Sequence, residues 1–173
     1  MTGHSVTGIG NRTDSISLVL LACMHLRTAP DRYAPIHVTP VDFVSRAIVA
    51  LSLARPAGVA FHFLNPEALS WPSVADALLA GGYVDRIVPY DEWGALLRGA
   101  AAHDTDLEFA AMLALRPVED RERTWQAEDG NVRAGLAEIH AAVYPSDSPA
   151  VLRAYLSTLA RVESERRAGG PPP

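Results

Sequence analysis

The stretch Ile36-His37-Val38-Thr39-Pro40-Val41-Asp42-Phe43-Val44-Ser45-Arg46-Ala47-Ile48-Val49-Ala50-Leu51-Ser52-Leu53 decides how the chain is read. It predicts a short strand over residues 36–38 followed by an amphipathic helix. Thr39 suits the N-cap, Pro40 suits the first turn where no N–H is needed, and Asp42 lies three residues beyond the cap as a capping-box acid. Val41, Val44, Ile48 and Leu51 recur at helical spacing, and Phe43, Ala47 and Ala50 widen the apolar stripe. The helix is expected to lie in a core.

The 173 residues are 49% hydrophobic, enough for one domain or one lobe of a larger one. The net charge of −5, with its positive side chains scattered, argues against nucleic acid and against a membrane surface as partners. The single cysteine, Cys23, stands in an apolar run, so the chain has no disulfide framework and no cysteine metal site. A buried, inert thiol is expected there. The run over residues 16–24 is too short to span a bilayer and lacks the basic flank of a signal peptide, which points to a soluble, cytoplasmic protein.

All fifteen basic residues are arginine. A lysine Schiff base, a Walker lysine and a Tyr-x-x-x-Lys proton relay therefore cannot be built from this chain alone. Gly3, Gly8 and Gly10 are spaced loosely enough to suggest a phosphate cradle. A dinucleotide fingerprint, however, needs a preceding apolar strand, and a P-loop needs a lysine after its second glycine.

Asn11, Thr13 or Asp14 is expected to cap a helix to about Leu26, with Ile16, Val19, Leu20, Cys23 and Met24 on its apolar side. Residues 59–63 alternate apolar and small or polar side chains and read as a strand. Ser70 or Ser73 caps the next helix, in which Val74, Ala75, Leu78 and Leu79 face inward and Gly81-Gly82 ends the run. Residues 83–90 read as a further strand, so the strand, helix, strand order predicts a parallel pair with 59–63. Asp91 is expected to cap a helix carrying Trp93, Leu96 and Leu97. Helices follow over 106–115, 132–143 and 150–162, with 119–130 as a charged connector and 166–173 as a disordered tail.

Chemistry-bearing patterns are sparse. The six histidines include no His-x-x-x-His pair, so no metal site is predicted. His62 is placed on the polar face of its strand, His140 on the apolar side of its helix, and His37 within reach of Asp42. A Ser-His-Asp triad stays open, although no Gly-x-Ser-x-Gly elbow supports it. No catalytic residue is assigned.

Four blocks in order carry a resemblance. They are Gly3-His4-Ser5-Val6-Thr7-Gly8 with Asn11 and Asp14; His37-Val38-Thr39-Pro40-Val41-Asp42-Phe43-Val44-Ser45-Arg46-Ala47-Ile48; Phe61-His62-Phe63-Leu64-Asn65-Pro66; and Val88-Pro89-Tyr90-Asp91-Glu92-Trp93. Over about residues 2–161 the chain resembles the C-terminal part of thioester reductase domains. These are the terminal reductases of nonribosomal peptide synthetases and carboxylic acid reductases, within the extended short-chain dehydrogenase/reductase superfamily. The resemblance implies an α/β fold: a helix-rich C-terminal lobe with a few short strands, the substrate-binding domain over 1–165.

It also implies a function. In the family, NADPH reduces an acyl or peptidyl thioester on a carrier protein's phosphopantetheine arm to an aldehyde or an alcohol. The family's glycine-rich cofactor loop, catalytic Thr or Ser and Tyr-x-x-x-Lys pair have no counterpart in this chain, so no NADP(H) binding is expected of it alone. Residues matching Ser5, Thr7, Gly8 and Asn11 would lie near the mouth of the nicotinamide and substrate site. The alternative is that Gly8 and Asn11 shape a loop and cap a helix.

Three functional readings follow: a piece of a split or longer reductase, a non-catalytic module that binds a carrier protein or acyl group, and a domain turned to an unrelated task. Strands over 36–38 and 59–63 would leave unpaired edges in isolation. The lone chain is therefore expected to need an N-terminal reductase half, to self-associate, or to be poorly stable.

Overall fold

The computed structural model describes residues 2–54, 58–63, 65, 68–104, 107, 111, 129–138 and 148–169. In chain order these give α1 (Ser15–Leu26), β1 (Thr28–Pro30), α2 (Val41–Ala54), α3 (Trp71–Ala80), β2 (Arg86–Val88), α4 (Tyr90–Ala101), α5 (Gly130–Glu138) and α6 (Ser148–Arg167). Most of the expected helix over 106–115, the end of that over 132–143 from residue 139 on, most of the connector 119–130, and His140 lie outside the described residues, as do 170–173.

Helix α1 begins where Asp14 accepts the Ser17 N–H at 2.8 Å, so Asp14 is the cap among the three candidates. It ends at Arg27, whose φ of 54° is the left-handed turn that stops a helix, here adopted by a non-glycine residue. Arg27 is held there by its ion pair with Asp85 and by donation to the Gly82 carbonyl at 2.8 Å. Helix α3 starts at the predicted Ser70 cap and stops at Gly81.

β1 and β2 pair in parallel, with Thr28 opposite Arg86, Ala29 opposite Ile87 and Pro30 opposite Val88. The ladder runs one residue further at each end, through Asp85 N–H to Arg27 O and Asp31 N–H to Val88 O. Ala29 and its alternates therefore face β2, and the Thr28 and Pro30 carbonyls point to the opposite edge. Two tryptophans close that edge: Trp71 of α3 donates its indole N–H to Pro30 O at 2.7 Å, and Trp93 of α4 donates to Thr28 O at 3.1 Å. Both indoles are buried, so the outer carbonyls of β1 are satisfied, and among the described residues the sheet has two strands.

The main core lies among α1, α3, α4, α6 and this sheet, and includes Leu20, Cys23, Val74, Leu78, Leu97, Tyr155 and Leu156. Each fully buried leucine contributes about 1.5–3 kcal/mol relative to exposure. A second, smaller core joins Phe43, Val44, Ala47 and Leu51 of α2 to Val132 and Leu136 of α5.

Several expectations are corrected. Residues 36–38 are not a strand: Ile36 makes a single antiparallel bridge with Leu69. Residues 59–63 form no strand, and the partner of β2 is β1, a segment with no alternating pattern. Pro40, not Thr39, occupies the capping position of α2, because its carbonyl accepts the first helical N–H, from Val44. The Thr39 hydroxyl instead accepts from Asn65 N–H, and the Asp42 carboxylate turns to Ser5.

His37 meets the Asn65 carbonyl at 2.9 Å rather than Asp42. On α2 the buried face is Phe43, Val44, Ala47 and Leu51, while Ile48 is half exposed. Leu79 and Leu96 also face outward. Asp91 does not cap α4: the Tyr90 N–H goes to Asp31 Oδ1 at 2.9 Å, and Asp91 lies within the first turn. Helix α6 runs over Ser148–Arg167, beyond the expected 150–162 at both ends.

Candidate functional site

The four residues singled out at the N-terminal end lie on one loop, and the fold holds that loop from three sides. Ser5 donates its N–H to Asp42 Oδ1 at 2.8 Å and its hydroxyl to Oδ2 at 2.9 Å, a two-point clamp onto the first turn of α2. The Thr7 carbonyl accepts the Thr158 hydroxyl of α6 at 2.7 Å. Gly8 has φ of 68°, and a Cβ there would fall 2.2 Å from the Ala154 carbonyl oxygen, so only glycine lets the loop lie against α6.

Asn11 faces α1. Its side-chain oxygen accepts Thr13 N–H and the Thr13 hydroxyl, both at 2.9 Å, and its carbonyl accepts the Ser17 hydroxyl at 2.5 Å. The buried Tyr155 hydroxyl makes a short hydrogen bond with Ser17 and reaches the same carbonyl at 3.3 Å. Burial pushes the Tyr155 phenol up, and the nearby Asp14 charge adds to this against the opposing Ser17 hydrogen bond. Arg12 completes the docking through Glu163 of α6 at 2.6 Å.

Asp42 is held below the usual carboxylate range. Burial pushes it up, but the Ser5 amide and hydroxyl and the neighbouring His4 favour the charged form more strongly. The clamp is thus a charge-assisted one.

The backbone amides of residues 4–9 are already engaged. His4 N–H donates to Ile9 O at 2.8 Å, Ser5 N–H to Asp42, Val6 and Thr7 N–H to His4 Nδ1 at 3.2 and 3.5 Å, Gly8 N–H to His4 O at 2.9 Å, and Ile9 N–H to Thr7 Oγ1 at 3.4 Å. A phosphate cradle requires amides turned outward. The amides of residues 4–9 are therefore not arranged to receive a dinucleotide pyrophosphate.

Beside the loop lies a cavity of about 130 Å³ bordered by Gly8, Gly10, Arg12, Tyr155 and Thr158. A larger one, about 600 Å³, opens between α3 and α6, with apolar walls from Leu69, Ala77, Leu152 and Leu156 and with Asp76 and Arg153 at its lining. That volume is in the range of small-molecule sites. Among the described residues no cluster of His, Cys, Asp and Glu could hold a metal ion, and no helix is long and apolar enough to cross a membrane.

The roles of Asp42, Tyr155 and Thr158 were not visible in the sequence. Their partners are 37, 138 and 151 residues away, so no local spacing signals them.

By fold and site the protein is a helix-rich α/β lobe with a two-strand parallel sheet and a glycine loop docked against its last helix. Its relatives say which proteins carry that lobe. No family model matches the sequence. The chain is 29% identical over 168 residues to the L-2-aminoadipate reductase large subunit of Eremothecium gossypii, covering 92% of this chain and 12% of that protein. Its fold superposes on the terminal R domain from the myxalamid PKS-NRPS biosynthetic pathway with a TM-score of 0.76 and 34% identity, covering 92% of this chain and 42% of that one. A thiolation-reductase di-domain from an archaeal nonribosomal peptide synthetase shares the fold at a TM-score of 0.71 and 16% identity, with 94% of this chain and 35% of that one covered.

The chain's relatives are reductase domains of this kind, and its architecture is that of the C-terminal lobe of terminal R domains. It spans under half of the solved R domain and about one-eighth of the aminoadipate reductase subunit.

Proposed function

We propose that this chain is the substrate- and carrier-binding portion of an NADPH-dependent thioester reductase that releases a carrier-bound acyl or peptidyl thioester as an aldehyde or alcohol. The observation that carries this reading is the superposition of 92% of the chain on a terminal R domain at 34% identity. In the complete enzyme NADPH would supply hydride to the thioester carbonyl. The residues of this chain would bind and orient the acyl group: the loop bearing Ser5, Thr7, Gly8 and Asn11 borders the reacting end, and the apolar cavity between α3 and α6 takes the acyl or peptidyl chain. The carrier protein is the expected partner, in keeping with the thiolation-reductase pairing of the archaeal relative.

A second reading is a non-catalytic module that binds an acyl-loaded carrier. It is favoured by the engaged amides of residues 4–9.

Isothermal calorimetry on the chain by itself tests both, using NADPH, unloaded carrier protein and acyl-loaded carrier protein in turn. Binding of the loaded carrier without binding of NADPH is the expected result. Failure to bind the loaded carrier would overturn the carrier reading, and NADPH binding would overturn the placement of the nucleotide site outside this chain.

A further inference from the structure

His4 holds the N-terminal loop through its backbone and through its ring. Its N–H donates to Ile9 O at 2.8 Å and its carbonyl accepts the Gly8 N–H at 2.9 Å. Its ring Nδ1 accepts the Val6 N–H at 3.2 Å and, more weakly, the Thr7 N–H at 3.5 Å. An amide N–H can only donate, so Nδ1 carries a lone pair here and the ring proton sits on Nε2. The loop as built therefore requires a neutral His4. An imidazolium has a proton on both nitrogens and sets a donor against the two amides.

The surroundings offer the charged ring another partner. Asp42 at the start of α2 lies close enough for a charge on His4 to favour its ionised form. Its oxygens hold the Ser5 N–H at 2.8 Å, the Ser5 hydroxyl at 2.9 Å and Arg46 at 3.2 Å. Because Asp42 is held below the usual carboxylate range, it stays ionised wherever histidine titrates.

The other neighbours of the loop bring no free charge. Helix α6 meets it through Ala154, Tyr155 and Thr158. The charged side chains on that side are paired, Arg12 with Glu163 and Arg161 with Glu165, and on the α1 side Asp14 accepts from Ser17.

We propose that His4 is a proton-operated latch on the N-terminal loop. Neutral, it holds the Val6 and Thr7 amides on Nδ1; protonated, it releases them and turns toward Asp42, so residues 5–7 loosen as pH falls. The sign follows from the acceptor: the latch is closed above the histidine range and open below it. Val6 and Thr7 are exposed, so their freed amides turn to water without a burial penalty. The inference rests on the reading of this loop as the border of the reacting end, and it adds regulation of that site by protons.

The test is a titration of the 15N-labelled chain from about pH 8 to about pH 5, followed at the imidazole nitrogens and at the Val6 and Thr7 amides. At the alkaline end the His4 ring should be the Nε2–H tautomer. The two amide resonances should then move with the titration of that ring, and Val6 should lose exchange protection by about five- to tenfold relative to its intrinsic rate.

His4→Asn keeps a side-chain acceptor for the amide two residues on and has nothing to titrate, so its loop should stay closed throughout. His4→Phe removes the acceptor, so its loop should be open throughout. A proton on Nδ1 at the alkaline end, amide resonances that do not follow the ring, or an unchanged amide titration in His4→Asn would each overturn the latch. Calorimetry with acyl-loaded carrier at both ends of the range tests the regulation: affinity should change in the unmodified chain and stay constant in His4→Asn. Equal affinity at both ends in the unmodified chain would overturn regulation of the site. Failure to bind the carrier at either end would remove the reductase reading and the regulation with it, while the resonances still decide the latch.

Discussion

Gly8 and Gly82 share a φ of 68°, and this allows the docking of the N-terminal loop to be measured by difference. At Gly82 an added Cβ meets nothing within 4 Å, whereas at Gly8 it would lie 2.2 Å from the Ala154 carbonyl oxygen and 2.9 Å from the Tyr155 nitrogen. Gly82→Ala should therefore cost only the left-handed backbone penalty, about 1–2 kcal/mol. Gly8→Ala carries the same penalty and must also lift the loop from α6, because the clashing atoms are backbone and cannot rotate away. Losing the Thr158 to Thr7 hydrogen bond and the packing under it adds about 2 kcal/mol, so Gly8→Ala should cost about 3–4 kcal/mol.

Gly99, exposed in α4 with open space around its Cβ position, supplies the opposite sign: Gly99→Ala should stabilise by about 0.5–1 kcal/mol. Urea unfolding followed by circular dichroism gives all three values. Gly8→Ala and Gly82→Ala agreeing within about 0.5 kcal/mol would show that the loop does not rest on α6, and the account of the site would fail with it.

Acidification should loosen the same site. Asp42 is depressed in the folded protein, so its contribution is full above the ordinary carboxylate pKa of about 3.9 and is lost as pH falls through the lower folded value. Asp42→Asn should flatten the acid limb of stability against pH between about 5 and 2, and an unchanged limb would refute the clamp. Trp71→Phe and Trp93→Phe each strip an indole donor from a buried β1 carbonyl and should destabilise by about 1–3 kcal/mol in thermal or urea melts. Cys23 is fully buried and burial pushes its thiol well up, so alkylation by iodoacetamide should be negligible in native buffer and rapid in urea; fast native labelling would place Cys23 outside the core.

Local chemistry explains what could be read in advance. The Asp14 and Ser70 caps, the Gly81 stop and the apolar periodicity of α1, α3, α4 and α6 are each decided within a few residues, and helices formed at those places, with the start of α4 and the ends of α6 differing from the reading. The strand readings did not transfer. Residues 59–63 alternate suitably but have no strand to pair with among the described residues, while Thr28-Ala29-Pro30 lacks any pattern and is made a strand by β2 on one edge and two indoles on the other.

The site divides in the same way. Ser5, Thr7, Gly8 and Asn11 stand out in the sequence as a glycine-rich, hydroxyl-rich block, and the blocks that follow indicate which relatives share it. That Ser5 binds Asp42, that Gly8 is pressed against Ala154, and that the amides of residues 4–9 are all engaged were settled only by tertiary structure. The sequence by itself determined where helices start and stop and which face of most of them is apolar, because those preferences come from neighbours three or four residues away. The fold alone determined which loop meets which helix and which apolar face stays uncovered, because those contacts join residues as far apart as Thr7 and Thr158 and exist only once the chain has closed on itself.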